Sequence, residues 1–266
     1  MLGAPCFLGT KVYKNYLFML PEYSKYIVRI NLDNYEMGYI SDWNGLIEET
    51  LFDKMNLFFG KHSVLVKDKL YIPFLRMNAV LELDCDTLNC VLHKLDVSVI
   101  GFENICYSDG CLFLTSVTTG EIIKWNLETE EIDEIKVYDE QLENEFWGYA
   151  GMAKYEGNII LFPQRRELRK QNDMLQKVFV MEGQYAVAKT DDETLLYYEK
   201  DTAVLTKVHM KSGEKEEMEL IISDLLLDME RICDEQQSIE ECSDINLKQF
   251  LRKLQKVERT INYRIN

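Results

Sequence analysis

Basic residues are scarce in this chain: 30 Lys and Arg stand against 46 Asp and Glu, a formal net charge of −16. Nucleic-acid binders neutralise many phosphates with Lys and Arg, so nonspecific binding to nucleic acid is excluded. An anionic membrane surface is disfavoured on the same ground. Long apolar runs are missing too. No stretch is long enough to span a bilayer, and no charged start leads into the short apolar segment of a secretory signal.

The seven cysteines include no C-x-x-C pair and cannot all be paired within the chain. Cys85/Cys90 and Cys106/Cys111 are each spaced by five, while Cys6, Cys233 and Cys242 stand apart. Free thiols in a reducing compartment are the simplest reading, so the expected location is cytoplasmic. Histidine is reduced to His62, His93 and His209. No G-x-S-x-G elbow, P-loop, dinucleotide fingerprint or H-E-x-x-H helix occurs. No metal and no cofactor is expected.

What the chain does contain is a repeat. A leucine anchor is followed ten residues later by a short apolar run and then a polar turn. The pattern runs from Leu17 to Ile27–Asp33, from Leu70 to Val80–Asp86, from Leu112 to Ile122–Glu128, and, more worn, from Leu195 to Leu205–Lys211. An aromatic precedes the anchor by ten or eleven residues: Phe7, Phe59, Phe102, Tyr149 (before Ile159) and Tyr185. Turn residues sit just before each anchor, as in Lys14-Asn15, Lys67-Asp68, Asp109-Gly110, Glu156-Gly157 and Asp191-Asp192.

Each unit therefore reads as four short strands. A sheet with two apolar faces must be covered on both, and packing sheets around an axis does this. The expected fold is all-β, a β-propeller of about five four-stranded blades beginning near residues 6, 58, 102, 146 and 184. These five are either the whole ring or part of a six- or seven-bladed one. The fourth unit is irregular, its outer strand displaced by residues 163–176.

The third turn is the most regular, with Asp or Asn closing an apolar strand and Thr two or three positions on, as in Leu83-Asp84-Cys85-Asp86-Thr87 and Trp125-Asn126-Leu127-Glu128-Thr129. Such side chains bond backbone amides two residues ahead, which makes turn capping a better reading of Asp84 and Asp86 than calcium ligation. This strand–turn pattern over roughly residues 6–221 resembles kelch-type and related bacterial propeller repeats. It departs from kelch in lacking the double glycine and the regularly placed tryptophan. The resemblance implies the architecture and the habit of binding through loops at one end, and it transfers no catalytic residue.

Residues 1–222 are assigned to the propeller and 223–266 to a helical C-terminal segment packed on it or extending from it. In that segment Leu247, Phe250, Leu251, Leu254 and Val257 follow helical spacing. Nine acids between Glu128 and Glu145, against Lys136 alone, read as a solvated hairpin and linker.

Two features stand out as binding candidates. Arg165, Arg166, Arg169 and Lys170 form the one basic cluster, able to grip an anion through planar guanidinium forks, or simply a solvated loop. Trp147 and Tyr149, with Trp43 in the corresponding segment after unit one, are either rim aromatics for a sugar or a protein partner, or rings filling the space between sheets. The expected function is a noncatalytic binding or scaffold propeller that takes a protein partner or a small anionic or sugar ligand, with no nucleic acid and no membrane. The alternative is a carbohydrate-active hydrolase or lyase using channel-facing carboxylates or histidines. Oligomeric state is left open.

Overall fold

The structure is a computed structural model describing residues 7–21, 25–47, 59–60, 62–117, 120–135, 148–155, 158–163, 178–181, 185–190 and 194–219. All of them lie within one compact unit, Pro5–Leu220. The first sheet holds β1 (Phe7–Tyr13), β2 (Tyr16–Pro21), β3 (Ile27–Asn31) and β4 (Met37–Ile40); a 3-10 turn, Asp42–Leu46, follows. The second holds β5 (Val64–Val66), β6 (Lys69–Pro73), β7 (Ala79–Asp84) and β8 (Cys90–Lys94), and the third β9 (Phe102–Ser108), β10 (Cys111–Ser116), β11 (Ile122–Asn126) and β12 (Ile132–Ile135). In the fourth are β13 (Tyr149–Tyr155), β14 (Asn158–Pro163) and β15 (Val178–Val180). The fifth contains β16 (Tyr185–Thr190), β17 (Thr194–Glu199), β18 (Val204–His209) and β19 (Lys215–Glu219).

Each four-stranded sheet is an antiparallel meander in chain order, and the chain is an all-β propeller with four such blades. First strands neighbour first strands, β5 beside β9, β9 beside β13 and β13 beside β16, so they form the inner wall. The leucine anchors fall on the second strands and the apolar runs ten residues later on the third, which is why the repeat survives in the sequence.

Alternation along the strands explains the packing. In β10, Leu112 and Leu114 point into a cluster with Tyr71 and Val80 of the second sheet. Cys111 and Phe113 point the other way, to Met152 and Leu161 of the fourth. A third cluster joins Phe18 and Ile27 to Leu70 and Leu81, and a fourth joins Ala153 and Phe162 to Ala188 and Leu195. Every interface between successive sheets is thus an apolar layer. At roughly 1.5–3 kcal/mol for each large side chain fully buried, these layers hold the blades together.

The turns behave as their residues require. Asn31, Asp84 and Asn126 each accept, through Oδ1, backbone N–H groups two and three residues ahead. The fourth residue after each adopts positive φ: Tyr35 at 61°, Leu88 at 65° and Glu130 at 61°. In the fifth sheet Gly213 (φ 71°) takes this place after His209. Asp84 is therefore engaged in its own turn, and its backbone bonds, those to Thr87 first, hold it below the usual aspartate value.

The expectation of about five four-stranded blades is corrected to four, and the sheet that departs is the fourth, the unit whose sequence is irregular. It has three described strands, and β15 pairs with β14 in parallel. A parallel return needs a crossover of about a dozen residues or more, and residues 164–177 supply that length where the other blades have a short turn. The helical segment expected over 223–266 lies outside the described residues. Among the described residues the helical structure is the single 3-10 turn.

Candidate functional site

The inner wall is mostly apolar, but β9 opens with a polar pair, Glu103-Asn104, directly after Phe102. In four of the five sheets an aromatic heads the first strand and the register beside it is irregular: between Phe7 and Gly9, Tyr149 and Gly151, Tyr185 and Val187, and opposite Phe102 between Thr115 and Ser116. Such bulges re-aim side chains at strand ends. In β9 the bulge buries Glu103 and Asn104, and Thr115 and Ser116 across the pair are buried with them.

Asn104 organises this group. Its Nδ2 donates to Thr115 Oγ1 at 3.0 Å and to the Tyr149 carbonyl at 3.4 Å, and its backbone N–H donates to the same Thr115 oxygen at 3.2 Å. A carbonyl only accepts, so the amide nitrogen must face Tyr149 and the oxygen must face the other way. There Asn104 Oδ1 lies 2.6 Å from Nδ1 of His62, a half-buried residue ahead of β5. Sheets two, three and four thus meet at one amide. Close packing of the strands assists: a Cβ on Gly60 would stand 2.6 Å from the Glu103 carbonyl oxygen.

A second polar group lies between sheets two and three. Glu82 is almost buried and accepts from Lys69, while His93 Nε2 lies 2.9 Å from its other oxygen. The His93 ring is 4.8 Å from the Trp125 indole. Burial alone would raise the Glu82 carboxyl, but the hydrogen bonds from Lys69 and His93 outweigh it and hold the group below the ordinary glutamate range. The Tyr71 phenol is pushed up, first by burial and then by the Glu82 charge. His209 of the fifth sheet sits 3.0 Å from Glu216. The three histidines serve three separate groups, and among the described residues no cluster of three His, Cys, Asp or Glu is assembled.

The residues singled out from sequence fare differently. Arg165, Arg166, Arg169, Lys170 and Trp147 lie outside the described residues. Trp43 is fully buried in the 3-10 turn, its ring 5.0 Å from Phe59 and 6.3 Å from Phe74. Tyr149 is also interior, and its hydroxyl donates to the Gly120 carbonyl at 3.4 Å. Of the two readings of Trp43 and Tyr149, the structure takes the interior one: both rings fill space between sheets, because large apolar surface is worth most when buried there. Asn104, Thr115, Glu103 and Glu82 escaped sequence reasoning. The available signal was the polar pair at the head of an otherwise apolar strand.

Comparison with solved structures shows the propeller fold. A catalytically inactive variant of virginiamycin B lyase from Staphylococcus aureus, with quinupristin, is similar at a TM-score of 0.55 and 12% identity, covering 80% of this chain and 70% of that one. The extracellular domain of a putative one-component system from B. thetaiotaomicron matches at a TM-score of 0.50 and 9% identity, over 81% of this chain and 28% of that chain. PorZ, a bacterial surface component of the type-IX secretion system of Porphyromonas gingivalis, matches at 0.50 and 8%, over 80% and 27%. No protein-family model and no curated protein matches the sequence. At these identities the likeness extends to the fold, and it does not reach the kelch repeat in particular.

Proposed function

We propose that this chain is a noncatalytic ligand-binding propeller whose site lies where the inner strands of sheets two, three and four begin. The observation that carries the reading is the Asn104 network. It fixes a half-buried histidine, His62, on backbone and side chains from three sheets, the way a binding residue is pre-organised on a rigid frame. Pro163, the residue before Gln164-Arg165-Arg166, pairs with Tyr149, whose carbonyl belongs to the network. Arg165, Arg166, Arg169 and Lys170 then serve as contacts to the ligand or partner.

Virginiamycin B lyase keeps the enzyme reading as the second choice, with His62 as its base.

The test is mass spectrometry of small molecules released from natively purified protein, comparing wild type with His62→Ala and with an Arg165/Arg166/Arg169→Glu triple variant. A stoichiometric compound lost from the variants and recovered unchanged after incubation supports binding. A compound converted by the wild type alone moves the chain to the enzymes, and no retained compound in any sample removes the proposal.

A further inference from the structure

We propose that the face of sheet one turned away from sheet two is a subunit interface. It docks on the face of sheet five turned away from sheet four in a second copy of this chain, and the two copies do so reciprocally.

The anchor leucine of each repeat marks the side on which the preceding sheet lies. Leu70, with Leu83 opposite it, packs in the cluster shared with sheet one. Leu112, with Trp125 opposite, packs against sheet two, and Leu195, with Val208 opposite, against sheet four. All six are 6% exposed or less. Leu17 is the same anchor and Ile30 its cross-strand partner. The contact of sheet one with sheet two is carried by the opposite face, through Phe18, Leu20, Ile27 and Ile40. Among the described residues no apolar cluster joins the Leu17 side to another sheet.

Register and alternation place Val12, Met19, Val28, Met37 and Tyr39 on the side of Leu17 and Ile30. No charged residue is among them, yet Val12, Met37 and Tyr39 are 55%, 50% and 64% exposed. A contiguous uncharged face of this kind marks an interaction surface.

The complementary face is at the other end of the row of sheets. In sheet five Leu195 and Val208 turn to sheet four, so Leu196, Tyr198, Leu205 and Met218 turn away from it. The charges on that side answer one another, with Glu216 3.0 Å from His209 and 3.7 Å from Lys207. It is the side that sheets one to four each present to the sheet that follows. Sheet one of a second copy therefore meets it as sheet two meets sheet one.

Magnitude selects the reciprocal arrangement. Four strands about 4.8 Å apart and about 17 Å long make a face of about 330 Å², so one pair of faces buries about 650 Å². Two pairs bury about 1,300 Å², which reaches the roughly 1,200–2,000 Å² of stable interfaces, as one pair does not. A two-fold pair sharing both contacts also leaves neither face open, whereas an open head-to-tail array always does.

Light scattering on the full chain should give twice the 31.3 kDa monomer mass. Tyr39→Glu and Met218→Glu, both at exposed positions, should each lower the mass toward the monomer while circular dichroism stays unchanged. A Tyr39→Cys/Met218→Cys double variant, prepared as a mixture of nitrogen-15-labelled and unlabelled chains, is then oxidised and its peptides are mapped. The expected link joins positions 39 and 218 and carries mixed label, because it connects two chains. A monomeric mass, or a 39–218 link confined to single chains, overturns the second copy as the occupant. A dimer lacking that link, or linked 39 to 39, overturns the pairing of the two faces.

Discussion

Gly101 and Leu75 are locked together by backbone alone: a Cβ on Gly101 would stand 1.8 Å from the Leu75 carbonyl oxygen. Gly101 precedes the first strand of sheet three, and its φ of +70° is one that L side chains adopt rarely. The Gly101 N–H also donates to Asn78 Oδ1 at 3.1 Å, so the linker between blades is stitched to the second turn of the preceding sheet. Gly110, in the β9–β10 turn, has a similar φ of +81° but nothing within 4 Å of its added Cβ. The pair separates conformational strain from collision. Gly110→Ala is expected to cost about 1–2 kcal/mol from backbone strain. Gly101→Ala adds overpacking of about 1–3 kcal/mol to that. Urea unfolding of both variants checks the difference.

Thr115 receives two hydrogen bonds from Asn104, both buried. Thr115→Val keeps the shape and leaves both donors without this acceptor, at an expected cost of about 1–3 kcal/mol. Thr115→Ser retains the oxygen and should cost well under half as much. Equal losses in a denaturant titration would show that packing, and not the hydroxyl, matters at this position.

Glu82 makes folding stability sensitive to acid. Its carboxyl is held below its ordinary value in the folded chain, so its stabilising contribution is complete above the unfolded value and is lost as pH falls through the lowered folded value. Glu82→Gln should flatten this acid limb while lowering stability near neutrality by about 1–2 kcal/mol. That is less than for a fully buried pair, because the Lys69 side chain is 44% exposed. Thermal melts of both proteins between pH 3 and pH 7, about the range over which carboxylates titrate, give the comparison.

Glu130 occupies a left-handed position, φ 61°, at the end of the Asn126 turn. Glu130→Gly should therefore stabilise the chain, by up to about 1 kcal/mol. Asn126→Ala removes the acceptor for the Glu128 and Thr129 amides and should cost about 1 kcal/mol. A melting temperature that falls for Glu130→Gly would contradict the turn assignment.

The thiols of Cys85, Cys90 and Cys106 are pushed up by burial, to about 12, 11 and 11. The thiolate is the reactive form, so buried Cys85 and Cys106 should react with a disulfide reagent at pH 8 only as fast as the chain opens, and half-buried Cys90 more slowly than a free thiol. Labelling followed by peptide mapping, in the native state and in denaturant, tests this site by site. Rapid native labelling of Cys85 would show that the first two sheets separate readily.

The repeating strands, the hairpin turns and the regular third turn were legible in the residues. Alternating apolar positions, Asx-type caps and glycines act within a few neighbours, and their spacing from Leu17 to Leu195 writes the same unit again and again. The site was not legible in that way. His62 and Asn104 lie 42 residues apart and touch only because β9 packs beside the segment leading into β5. Trp43 and Tyr149 carry no local mark that separates a rim aromatic from an interior one, because a ring's burial depends on which sheet comes to lie against it. Local periodicity determined the blades; the packing of one blade on the next decided which polar groups are pinned, and by what.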